Sequence, residues 1–243
     1  MTQLEGNEQD QESSMSAKAG VIIFIAAALG IAAAVLVLPN WLPGMAGSLS
    51  GTEPKVFWYL SRSTALVAMG ILWASMMLGV GITNKMARLW PGAPAAFALH
   101  EYLSLLGLGF AAFHGLILLG DHYANFSLAQ VLTPFATSGY HPFWVGLGQL
   151  GFYTWAIVTA SFYIRNYIGQ GAWRLLHYVS FFTYMAALFH GISSGTDTSL
   201  SWVQGFYWLT GGSFLFLFLY RVINSLVEKS RKLMNGQALP NSK

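Results

Sequence analysis

The 243-residue chain has no cysteine. That absence excludes disulfides, thiolate metal sites, cysteine-held iron–sulfur clusters and the Cys-x-x-Cys-His attachment of a c-type haem. Charge is scarce as well: Asp, Glu, Lys and Arg make up 9% of the residues, against about 25% in soluble domains. With 55% hydrophobic residues, the solvent this composition suits is a bilayer. The net charge of +3 comes from dispersed basic residues rather than a basic patch, so nothing points to nucleic-acid binding.

What the chain does have is long apolar runs. About 20 such residues cross the hydrocarbon core as a helix. Six spans are predicted: Gly20 to Leu38, about Val56 to Ile82, Pro94 to Leu119, Phe143 to Ile164, Ala172 to Ile192 and Val203 to Ile223. The expected fold class is therefore an all-α membrane protein, a bundle of six transmembrane helices over residues 19–223. Residues 1–18 read as a disordered acidic tail (Glu5, Glu8, Asp10, Glu12), unlike the basic opening of a secretory signal. Residues 224–243 read as a basic tail. Most Lys and Arg, among them Lys85, Arg88, Arg165 and Arg174, fall on one side of this arrangement, which makes that side cytoplasmic and puts both termini there. The expected location is the plasma (inner) membrane. Trp41, Trp58, Trp90, Trp144, Trp173 and Trp202 fall at span ends, as interfacial anchors do.

Four of the six histidines lie in two of the spans. Leu99 to Gly115 reads LHEYLSLLGLGFAAFHG and Leu176 to Gly191 reads LHYVSFFTYMAALFHG. Both run from Leu-His through Tyr-x-Ser to Phe-His-Gly. Ionisable residues inside a membrane are functional-site candidates. Spans three and five run parallel in this topology, so His100 comes level with His177 and His114 with His190, roughly 20 Å apart along the helix. Imidazoles paired across a bundle suit the two axial positions of a haem iron. Without cysteine such haems are of the b type, and two of them, bis-histidine ligated, are expected between spans three and five. A zinc site is disfavoured, because the pairs are too far apart to give one metal four ligands. Packed or proton-relaying histidines in a non-redox scaffold or transporter stay open as the alternative.

The spacing also predicts a distortion. Fourteen residues at 100° each return His114 to within about 40° of the face of His100, whereas thirteen leave His177 and His190 about 140° apart. Over-winding, a bend or an oblique crossing is therefore expected near His177. Gly107, midway between the first two histidines, leaves room for a macrocycle edge or a close helix approach. Arg62 is expected to bind the propionates of the outer haem, with snorkelling to the headgroups as its alternative. Arg88 and Arg174 serve the inner haem or act as topology signals. Glu101 is expected to pair with one of those two arginines, and His122 and His141 to be solvated.

The His-x13-His of span three, the His-x12-His of span five and the Trp58-Tyr59-Leu60-Ser61-Arg62 opening of span two resemble the ferric-reductase-like transmembrane family. That family embraces NADPH oxidases, eukaryotic ferric reductases and the haem subunit of bacterial periplasmic methionine sulfoxide reductase. The likeness covers about Val56 to Ile223. It implies a six-span oxidoreductase component that passes electrons outward through two b haems. Many members continue into flavin and nicotinamide domains, whereas here residues 224–243 alone follow the last span. The resemblance thus implies no flavin site in this chain and a separate flavoprotein or quinol as donor. The acceptor would be a ferric chelate, oxygen or a partner enzyme. A quinol-oxidising cytochrome b that anchors a dehydrogenase is the alternative within redox chemistry.

Overall fold

The computed structural model describes residues 55–83 and 92–237, with isolated positions between 21 and 47. The acidic tail, most of the span expected over Gly20 to Leu38, Arg88 and the last six residues lie outside the described residues. The described chain is helical: α1 (Val56–Thr83), α2 (Ala93–Leu116) prolonged by a 3-10 turn (Ile117–Gly120), α3 (Leu128–Leu132), α4 (Pro142–Tyr163), α5 (Arg165–Ile168), α6 (Gln170–His177), α7 (Val179–Ser194) and α8 (Ser201–Gln237). Among the described residues there is no strand.

Four stretches are long and apolar enough to cross a membrane: Val56–Thr83, Ala93–Gly120, Gln170–Ser194 and Ser201–Arg231. They give the chain the character of a membrane-embedded protein. The expected fourth span does form a helix of 22 residues, but it is not among the four. Its Gln149, Thr154 and Thr159 and its Trp and Tyr rings dilute its hydropathy. Large apolar side chains such as Trp208 and Phe216 point outward from the bundle, as they do where lipid rather than water is the neighbour.

Local chemistry sets the helix starts. Gly92 takes φ +101°, a conformation that favours glycine, and Pro94 follows in the first turn of α2. His141 takes φ +39° immediately before Pro142 opens α4. The basic tail proves to be a continuation of α8 through Gln237, since residues 224–235 hold no Pro or Gly and are rich in helix-forming Leu, Glu, Lys and Arg.

Two antiparallel pairs build the bundle. α1 lies against α2, with Ser61 beside His114 and Ser75 beside His100. α4 lies against α7, with Trp144 beside His190 and Thr154 bonded to Thr183 at 2.8 Å. The core joins Met69, Leu72 and Met76 of α1, Leu108 of α2, Trp155 of α4, Tyr184 and Leu188 of α7 and Phe214 of α8. Lipid offers apolar side chains the same contacts as protein does, so small residues and polar bonds hold such interfaces. Gly107 is the clearest case: a Cβ there would lie 2.6 Å from the Trp155 indole. The glycine thus serves a close helix approach, with an indole filling the space.

The distortion expected in the fifth span falls beside His177. α6 ends there and α7 resumes at Val179. The Tyr178 amide is shared between the carbonyls of Arg174 (3.3 Å) and Leu175 (3.2 Å), and the Phe181 amide donates to Tyr178 O at 3.1 Å. These three-residue bonds tighten the turn. Tightening adds rotation per residue, the direction needed to bring a thirteen-residue spacing back toward one face.

Candidate functional site

Two imidazole pairs occupy opposite ends of the bundle. The His100 and His177 ring centroids are 6.1 Å apart with planes at 76°, and those of His114 and His190 are 6.0 Å apart at 66°. One of each pair comes from α2 and the other from the parallel α6–α7 segment. A metal–imidazole bond of about 2.0–2.1 Å, plus about 1.1 Å from ring nitrogen to ring centre, puts two axial imidazoles about 6.3 Å apart across one metal. Both spacings approach that distance. Mid-depth between the pairs, the Trp155 indole lies against Gly107.

Three of the rings are fixed by main-chain carbonyls. His100 Nδ1 lies 2.9 Å from Ser75 O, His114 Nδ1 2.9 Å from Ser61 O, and His190 Nδ1 2.9 Å from Trp144 O. A carbonyl oxygen only accepts, so each Nδ1 carries the proton and each Nε2 keeps its lone pair. This is the arrangement found behind metal-bound histidines, where the second nitrogen donates to a carbonyl or carboxylate. The serine hydroxyls reinforce it. Ser61 Oγ donates to His114 O at 2.9 Å, and Ser75 Oγ lies 2.8 Å from Ser104 Oγ, which donates to His100 O at 2.7 Å. Sequence reasoning missed these serines. Their signal was present, because fourteen residues separate Ser61 from Ser75 just as they separate His100 from His114.

Glycines let two rings lie against a neighbouring backbone. A Cβ on Gly148 would stand 2.6 Å from His190 Cγ and Nδ1, and one on Gly79 would stand 3.2 Å from His100 Cε1. Around the His114/His190 pair lies a cavity of about 380 Å³, bounded also by Ala68, Ala111, Gly148, Trp155 and Ala187. Two buried polar atoms on its lining, Gln149 Oε1 and Ser194 Oγ, have no hydrogen-bond partner among the described residues.

The connection between α2 and α4 closes one side of this cavity. Its short helix α3 carries a capping box between Ser127 and Gln130. The carbonyls at its other end are taken up by α4: Gln149 Nε2 donates to Gln130 O (2.6 Å) and Val131 O (2.8 Å), and Tyr153 OH donates to Leu132 O. The Phe135 ring, at φ +64°, takes the space beside Gly146. Tyr140 OH donates to Ser194 O at 2.6 Å. Burial raises the Tyr140 phenol above its ordinary value, which keeps it a donor.

The remaining site residues are placed as follows. Arg62 borders the cavity, but its guanidinium grips Asp197: Nε donates to Oδ2 at 2.7 Å and Nη2 bonds Oδ1. Arg174 is exposed and donates to Gln170 O of its own helix at 3.3 Å. Glu101 accepts from Tyr163 OH at 2.9 Å, so its partner is a phenol on α4 rather than Arg174, which the helix turn carries to the surface. His122 and His141 are exposed. No group of three or more His, Cys, Asp or Glu side chains that could hold a metal ion occurs among the described residues.

No protein-family model matches the chain, and no curated protein or solved structure matches it either.

Proposed function

We propose that the chain is a membrane di-haem b cytochrome, a conduit for single electrons in the manner of ferric-reductase-like oxidoreductases. The observation that carries this reading is the pair of imidazole couples 6.0–6.1 Å apart, three of whose four rings are oriented by carbonyls. The residues fit the group. His100 with His177, and His114 with His190, would supply the axial nitrogens, and the small residues around the second couple leave open volume where a macrocycle needs it. Gln149 Oε1 and Ser194 Oγ offer unused polar contacts at its edge. Haem held between the two imidazoles of each couple would supply a one-electron iron centre, chemistry suited to electron transfer rather than substrate activation.

The protein's own part is placement and insulation. The carbonyl bonds on Nδ1 of His100, His114 and His190 leave each Nε2 lone pair free for a metal, and α3 covers one side of the second couple. Trp155 puts an aromatic system in the gap between the couples. Arg62, its charge balanced by Asp197, keeps further N–H groups for a propionate, while Arg174, exposed and bonded to its own helix, fits a topology signal better than a haem partner. In the full topology the segment over Gly20 to Leu38 and helix α4 complete six spans in the plasma membrane, both termini cytoplasmic. The His100/His177 couple then faces the cytoplasm, where the haem it would hold could be reduced by a separate flavoprotein or by quinol. The His114/His190 couple would hold the second haem at the outer face, within reach of an acceptor such as a ferric chelate, oxygen or a partner enzyme.

The test is a dithionite-reduced minus oxidised spectrum of the purified full chain, with haem counted against protein. Low-spin b-type bands and two haems per chain are expected. A protein that folds and inserts but takes up no haem would refute the reading.

A further inference from the structure

His177 is held unlike the other three imidazoles. His100, His114 and His190 each donate from Nδ1 to a main-chain carbonyl at 2.9 Å. His177 has no hydrogen-bond partner among the described residues; its near neighbours are rings, His100 at 6.1 Å and Trp173 at 5.3 Å. It is also the last residue of α6, directly before the irregular turn at Tyr178. One turn back, Trp173 Nε1 is buried and has no acceptor among the described residues. An indole N–H can only donate, so this atom is a donor without an acceptor among the described residues, beside the imidazole of the four that has no hydrogen bond there.

We propose that His177 is the exchangeable member of the four. The His100/His177 couple would then open a coordination position to a small neutral π-acceptor molecule such as carbon monoxide, while the His114/His190 couple stays closed. This rests on the haem reading above. A histidine without the bond behind its second nitrogen binds metal about 10–100-fold more weakly than one that has it. Leaving the metal also costs His177 no buried hydrogen bond, whereas each of the other three would have to break one. Once turned away, the imidazole finds a donor in Trp173 Nε1–H, four residues back on the same helix, which gives the displaced ring a defined resting place. At the other couple both rings are tied, and His190 sits so close to α4 that the Cβ position of Gly148 is 2.6 Å from it.

The test titrates the dithionite-reduced full chain in lipid nanodiscs with carbon monoxide and counts haem in the same sample. Two haems and one carbon monoxide per chain are expected. Trp173→Phe keeps an aromatic ring beside His177 and removes the N–H. It should keep both haems and weaken carbon monoxide binding about tenfold, the worth of one ordinary hydrogen bond. Two haems with no carbon monoxide bound, two molecules bound per chain, or an unchanged affinity in Trp173→Phe would each overturn the proposal. A chain without haem would overturn the parent reading instead.

Discussion

Gly148→Ala is the substitution whose outcome the geometry constrains most tightly. The new methyl would stand 2.6 Å from His190 Cγ and Nδ1, and ordinary contact begins at 3.4 Å. The ring must retreat by that difference. Trp144, whose carbonyl holds His190 Nδ1 at 2.9 Å, lies one turn back on the same helix. A retreat of that size carries the bond past about 3.5 Å, where it ceases to be one. Overpacking costs about 1–3 kcal/mol, and losing the partner behind a metal-binding imidazole costs about 10–100-fold in metal affinity. Haem content should therefore fall from about two per chain to about one, with the His100/His177 couple spared. The assay is a pyridine haemochrome count against protein, with Gly205→Ala as control because nothing lies within 4 Å of its added Cβ. Gly148→Ala retaining both haems with an unaltered spectrum would refute the reasoning.

Other outcomes follow from the same contacts. Gly107→Ala drives a methyl to 2.6 Å from Trp155 and 3.0 Å from Ile71, and should lower stability by about 1–3 kcal/mol, read as an earlier thermal transition in detergent. Asp197→Ala strands the Arg62 guanidinium. Stranding a fully buried partner costs about 3–5 kcal/mol, and the loss here should fall below that because the two side chains are 30% and 19% exposed; the double variant with Arg62→Ala should recover part of it in a thermal-shift cycle. Gln149→Leu leaves the Gln130 and Val131 carbonyls without their donor, each at about 1–3 kcal/mol, so limited proteolysis should cut sooner within residues 120–141. If each couple holds an iron, imidazole planes at 76° and 66° predict highly anisotropic low-spin electron paramagnetic resonance signals for the oxidised protein; the rhombic signals of parallel planes would contradict that arrangement.

Much of the architecture was legible because one rule governs it. A backbone in lipid must satisfy its own hydrogen bonds, so apolar length reports helices directly, and α1, α2 and α8 start within two residues of where the sequence puts them. The duplicated Leu-His to Phe-His-Gly pattern also carried the pairing, since two parallel helices with matched spacings bring matched residues level. The missing residue in the second copy showed where the helix would distort, beside His177. Side-chain partners were less legible, because direction decides them rather than spacing. Arg62 found Asp197, a loop residue far along the chain, and Glu101 found the Tyr163 phenol while Arg174 turned to the surface. The carbonyls behind the histidines left no trace in residue type, since any residue provides one; only the Ser61 and Ser75 repeat hinted at them. The inward fold of α3 was hidden for a similar reason. It depends on Gln149 and Tyr153 reaching main-chain oxygens across a connection that reads as polar loop.

The most direct measurement is haem per chain in His100→Ala and His114→Ala, both purified as inserted protein beside the wild type. If each iron is held between one ring of α2 and one of the α6–α7 segment, each variant should lose one haem, from different couples, while the wild type keeps two. Two haems retained in both variants, or none in the wild type, would contradict the assignment.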